Sequence, residues 1–80
     1  MPEFEVFSEQ IRAARALVRM SQDELVELSG VSIATIRRLE ARDGPLPKRS
    51  SSGQKIIEVL EGAGVIFTPS DKQKGQGVRL

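Results

Sequence analysis

Ser21-Gln22-Asp23-Glu24 stands just upstream of Gly30-Val31-Ser32, and this spacing allows the chain few folds. Ser21 suits the cap of a helix, accepting from the amide three residues on, while Glu24 reaches back to the amide of Ser21. Asp23 and Glu24 also suit the positive end of a helix. Leu25, Val26 and Leu28 carry that helix to Ser29, and Gly30 falls where a left-handed residue closes it. Ser32 then caps a further helix. Ile36 and Leu39 are its buried stripe, which leaves Ala34, Thr35, Arg37, Arg38 and Arg42 on its other faces.

The flanks read as two more helices and a tail. Ser8 is the expected cap of a first helix, in which Ile11, Ala14, Leu17 and Val18 share one face and Arg12, Arg15 and Arg19 form a second row. That helix should end near Arg19 or Met20. Asp43-Gly44-Pro45-Leu46-Pro47 stops the third helix, since neither proline can continue it. A basic loop, 48–51, follows. Ser51 or Ser52 caps a fourth helix carrying Ile56, Val59, Leu60 and Ala63, and Gly62 and Gly64 stop it. Val65-Ile66-Phe67-Thr68 and Gly77-Val78-Arg79-Leu80 are short extended runs on either side of a polar turn, and they read as a β-hairpin. A lone hairpin is barely stable in water, so two copies pairing edge to edge would protect each other. The expected chain is mainly α, with four to five helices: an arm over 1–7, a helical domain over 8–64, and a β-type tail over 65–80. Phe4, Val6 and Phe7 in the arm call for burial, within the monomer or against a second subunit.

Composition narrows the chemistry. Eighty residues form one domain with a small core. With no Cys and no His there is neither a disulfide framework nor a Ser-His or Cys-His nucleophile, and a zinc site would need carboxylates alone. The Asp and Glu residues are spread over charged helix faces, with no close pair in an apolar setting. No Gly-rich loop leads into Lys-Ser/Thr. No catalytic residue, metal, cofactor or small-molecule ligand is therefore expected. No apolar run reaches the ~18–20 residues of a membrane span, and the acidic N-terminus lacks a secretory layout, so the expected location is the cytoplasm. The net charge of +1 hides an asymmetry. Residues 1–36 hold three Arg against six Asp/Glu, and residues 37–80 hold nine Lys/Arg against five Asp/Glu.

Two short helices joined by about three residues, with Gly in the turn, are the helix-turn-helix signature, here from Gln22 to roughly Arg42. Ile11-Arg12-x-x-Arg15, Ser21-Gln22-x-Glu24-Leu25, Gly30-Val31-Ser32, Ile36 and Leu39-Glu40 together resemble the XRE/Cro/cI-type helix-turn-helix family of bacterial and phage transcriptional regulators. The likeness covers about residues 9–63, and the tail is similar to the ending of small stand-alone regulators of this type. The resemblance implies a lambda-repressor-like domain that binds double-stranded DNA in sequence-specific fashion as a homodimeric repressor, its third helix in the major groove. It implies base contacts at Ser32, Ile33, Ala34, Arg37 and Arg38, with Arg38 the best reader of guanine. It implies phosphate contacts at Gln22, Thr35, Arg42, Lys48 and Arg49, and an ion pair of Arg15 with Glu40 joining the first helix to the end of the third. Val65, Phe67, Val78 and Leu80 are the expected dimer surface. Three positions depart from the family pattern: Val26 where Ala is usual, Arg19 where Gly is common, and Leu28 at a usually polar site. The apolar Ile33, Ala34 and Leu28 and the low net charge also suit a second reading, a protein-interaction module on the same fold, such as an antitoxin or adaptor with a protein partner.

Overall fold

Four helices and one two-stranded antiparallel sheet make up the described residues of the chain (Pro2, 4–47, 50–69 and 77–80) in a computed structural model: α1 (Ser8–Leu17), α2 (Gln22–Ser29), α3 (Ile33–Ala41), α4 (Ser51–Gly62), β1 (Ile66–Thr68) and β2 (Gly77–Arg79). The core gathers Ile11 and Ala14 of α1, Leu25 of α2, Ile36 of α3, and Ile56 and Leu60 of α4, each essentially removed from water. Val6, Met20, Val31, Leu39, Leu46, Ile57, Val65 and Phe67 complete it. No helix among the described residues is long and apolar enough to cross a membrane.

The start of α1 differs from the Ser8 cap expected of the sequence. Phe7 holds the cap position, and its amide donates to Gln10 Oε1 at 2.8 Å. The arm sets this arrangement. Phe7 and Pro45 form an antiparallel bridge; Leu46 donates its amide to Val6 O (2.8 Å) and Ser8 donates its amide to Gly44 O (2.9 Å). The arm thus docks on the chain's own core, with Val6 buried and Phe4 packed against it. Ser8 falls inside the first turn, fully buried, and its Oγ has no hydrogen-bond partner among the described residues. A buried hydroxyl left unpaired costs about 1–3 kcal/mol. Ser8→Ala is therefore expected to raise stability by roughly 1 kcal/mol, read as a higher urea midpoint at unchanged m-value; a lower midpoint would mean that the hydroxyl has a partner.

Leu17 is also corrected: it is 42% exposed, and Val18 takes the inward position next to it. Consecutive apolar residues point about 100° apart on a helix, so only one of the two can extend the row of Ile11 and Ala14. Beyond Leu17 the chain leaves the helix through a Schellman motif. Met20 donates its amide to Arg15 O (2.9 Å), Arg19 donates to Ala16 O (3.2 Å), and Arg19 adopts φ +56°. The left-handed region is strained for a residue with a Cβ. Arg19→Gly should accordingly stabilise the chain by about 0.5–1 kcal/mol, a rise of a few degrees in Tm; no change would show that the arginine makes up the strain through its side chain. The end of α4 uses the same hydrogen bonds with Gly64 (φ +104°) in that position. At its start the cap is Ser50, one residue before the expected pair Ser51 and Ser52, and Ser50 Oγ accepts from the amide of Gly53 at 3.0 Å.

The tail forms the expected hairpin, with Ile66 opposite Arg79, Phe67 opposite Val78 and Thr68 opposite Gly77. It is not free-standing. It packs on α1, and Gln10 Nε2 donates to both Thr68 O and Gly77 O at 2.9 Å. This corrects the dimer surface proposed from the sequence: Val65 (3% exposed) and Phe67 (5%) are core residues of the single chain and are unavailable to a second copy. Period-two alternation identifies which side of a strand is buried but not what buries it. Of that set, Val78 is half-buried and Leu80 is exposed.

Candidate functional site

The α2–turn–α3 unit is built from its caps. Ser21 Oγ accepts from the amide of Glu24 (3.0 Å), and the amide of Ser21 donates to Glu24 Oε1 (3.3 Å), so the capping box is complete. Gly30 closes α2 at φ +73°. Ser32 Oγ then accepts from the amide of Thr35 (3.2 Å) and donates to Thr35 Oγ1 (2.9 Å). In the turn itself, Ser29 Oγ accepts from the amide of Val31 (3.1 Å) while donating to Leu25 O (2.6 Å). With Val31 in the core, every residue from 30 to 32 has a conformational or packing task.

The inner side of α3 is Ile36, Leu39 and Glu40, all buried. Its outer side is Ala34, Arg37, Arg38 and Ala41, exposed and spaced as one stripe, with Ser32 exposed at its start. Ile33 and Thr35 are half-buried at the edges of that stripe. Leu28 of α2, 62% exposed, is a bare apolar side chain on the same two-helix unit.

Glu40 is the hub that fixes α3. Arg15 grips it with two parallel bonds, Nε to Oε2 at 2.7 Å and Nη2 to Oε1 at 2.8 Å, and spends Nη1 on Met20 O at 2.8 Å. The bidentate geometry is the strong form of the pair. The bond to Glu40 raises the Arg15 pKa, burial opposes that rise, and the charge of Glu40 adds to it. Gln22, the first residue of α2, donates its amide to Glu40 Oε1 at 3.2 Å. One buried carboxylate thus joins α1, α2 and α3.

Arg12 was not singled out from the sequence as a fastener, yet it closes the end of α3. Its guanidinium donates to Glu40 O, to Arg42 O (3.0 Å) and to Asp43 Oδ1 (3.1 Å). The first two are backbone carbonyls at a helix C-terminus, where a cation is favourable, and the third is a side-chain carboxylate. The one available signal was its position: three residues before Arg15, on the same row of α1. Arg42 donates to Pro45 O at 3.2 Å. Arg37 and Arg38 have no ion pair or hydrogen bond among the described residues. Lys48 and Arg49 lie outside them.

A cleft of about 310 Å³ lies between the arm, the loop after α3 and α4, with Phe4, Val6, Leu46 and Ile57 among its lining residues. None of its described lining residues belongs to α2 or α3. No group of three or more Asp and Glu able to hold a metal ion occurs among the described residues. No protein-family model matches this chain, and neither does any curated protein.

Proposed function

We propose that the chain is a lambda-repressor-like, sequence-specific binder of double-stranded DNA that acts as a homodimeric transcriptional repressor with α3 in the major groove. One observation carries the reading: α3 turns Ser32, Ala34, Arg37 and Arg38 to solvent while Ile36, Leu39 and Glu40 hold its other side. A helix with side chains is ~10–12 Å across and the major groove ~12 Å wide, so an outward helical stripe of this kind fits. The three-residue turn lets α2 brace on the backbone while the start of α3 meets base edges. Gln22 opens α2, where amide dipoles favour a phosphate. Arg38 can fork onto guanine O6 and N7, whereas Ile33 and Ala34 can meet only thymine methyls. Thr35 and Arg42 are suited to the backbone, which positions the protein without specifying sequence.

A single domain of this size reads few base pairs. Two copies related by a two-fold axis read inverted half-sites roughly 34 Å apart. With Val65 and Phe67 committed to the core, the contact between copies falls to the outer side of the tail, where Ile66 is exposed opposite Arg79, with exposed Leu80 at the end of β2. Selection of bound sequences from a random duplex pool tests the whole reading, with the mass of the complex measured and binding titrated against salt. The expected result is an inverted repeat, two copies per site, and affinity falling linearly on a log–log plot against salt. Absent or salt-independent binding, with a protein co-purifying instead, would overturn it in favour of the interaction module to which exposed Leu28 is suited.

A further inference from the structure

We infer that Arg37 is a ligand for a backbone phosphate and not a reader of bases, so that sequence discrimination by an arginine of α3 falls to Arg38 alone. This rests on the DNA-binding reading and departs from the base-contact role that the resemblance implies for Arg37. On a helix, residues three and four apart share a side. Arg37 therefore shares its row with Glu40 and Ala41, and those three line one open hollow together with Arg12 of α1 and Gln22 of α2. Arg38 is not among the residues of that hollow. The two adjacent arginines thus serve different surroundings. Both stand on the exposed stripe of α3, but of the two only Arg37 also stands beside side chains of two other helices.

The chemistry of the hollow suits a phosphate oxygen rather than a base edge. Glu40 also lines it, but both of its oxygens are held by Arg15 and one also by Gln22, so its charge is compensated from within. Arg12 brings a second guanidinium, fixed by the end of α3 and by Asp43. Arg37 is the cation of the set with no hydrogen-bond or ion-pair partner among the described residues. A side chain turned toward neighbouring helices reaches what those helices rest on, the sugar-phosphate backbone; a base reader must reach past the helix's outermost row.

The test uses the full chain and its pool-selected duplex. Arg37→Ala, Arg37→Lys and Arg38→Ala are titrated against that site and its single-base variants at several salt concentrations, with helicity checked by circular dichroism. Arg37→Ala should weaken binding to all these sites by a similar factor and reduce the log–log salt slope by about 0.9 per bound protomer. Arg37→Lys should keep most of the affinity, because a point charge satisfies a phosphate. Arg38→Ala should instead narrow discrimination at one base position, on the order of 10- to 100-fold. The inference is overturned if Arg37→Ala relaxes preference at a single position at unchanged slope, or if it changes neither affinity nor slope. Wild-type chain that shows no salt-dependent DNA binding defeats the underlying reading, an outcome distinct from either of these.

Discussion

Glu40→Ala is expected to cost roughly 3–5 kcal/mol, a large part of the whole stability of a domain this small. The carboxylate is 5% exposed and the Arg15 side chain 21%. Removing the acid leaves a guanidinium facing a cavity, with only Met20 O as a hydrogen-bond partner among the described residues. It also strips Gln22 of its acceptor and separates three helices at the point where they meet. Replacing both partners by apolar residues of similar volume is a different matter. Buried pairs exchanged as a unit are often neutral or better, because the desolvation cost leaves with them. Arg15→Met/Glu40→Leu should therefore be more stable than either single variant. Urea denaturation of the four chains closes a double-mutant cycle, and the coupling is expected at about 2 kcal/mol. A loss below ~1 kcal/mol for Glu40→Ala would place this contact with exposed ion pairs and remove its claim to anchor α3.

The pair was legible before the fold because its signal lies in particular residues. Arg15 and Glu40 belong to a motif, and the caps at Ser21, Glu24, Gly30 and Ser32 are local: each is settled by a residue and its neighbours within one turn. The hairpin was legible for the same reason, a β-branched and aromatic run and a second short extended run on either side of a polar turn. The failures involve distance along the chain. Ser8 lost its cap role because residues 44–46 had already paired with the arm, an event some 36 residues away in sequence. Val65 and Phe67 read as apolar and extended, yet whether α1 or a second copy covers them is not a local property. Arg12 looked like one more cation of a helix row, and only the arrival of α3's end beside it made it a cap. Arg37 and Arg38 are adjacent in the sequence, where only the resemblance favoured Arg38 as the reader of guanine. Their different surroundings come from three elements meeting: Arg37 lines a hollow with residues of α1 and α2, and Arg38 does not.

Gln10→Leu should cost about 3 kcal/mol and release the tail. Gln10, as a glutamine, reads as a solvated residue, yet it stands four residues before buried Ala14, is 2% exposed and uses its whole amide. Its oxygen accepts from the Phe7 amide at 2.8 Å, and its nitrogen donates to Thr68 O and Gly77 O at 2.9 Å each. Leucine fills a similar volume and satisfies none of the three. Each buried backbone group left unpaired costs about 1–3 kcal/mol, less where water can reach the strand ends. Gln10→Glu separates the two ends of the side chain: it keeps the acceptor for Phe7 but sets a carboxylate against two carbonyls, so it should loosen the hairpin at least as much as leucine does. Hydrogen exchange gives the decisive measurement. Amides of β1 and β2 should lose protection first, before those of α2. Unchanged protection there, with a stability loss under ~0.5 kcal/mol, would mean that the tail holds itself. The same helix presents Gln10 to the hairpin and Arg12 and Arg15 to the end of α3. A second, smaller effect is therefore expected at long range. As the hairpin end of α1 loosens, the Arg15–Glu40 grip should weaken with it, and exchange in α3 should quicken in the leucine variant even though position 10 touches no residue of that helix by any hydrogen bond among the described residues.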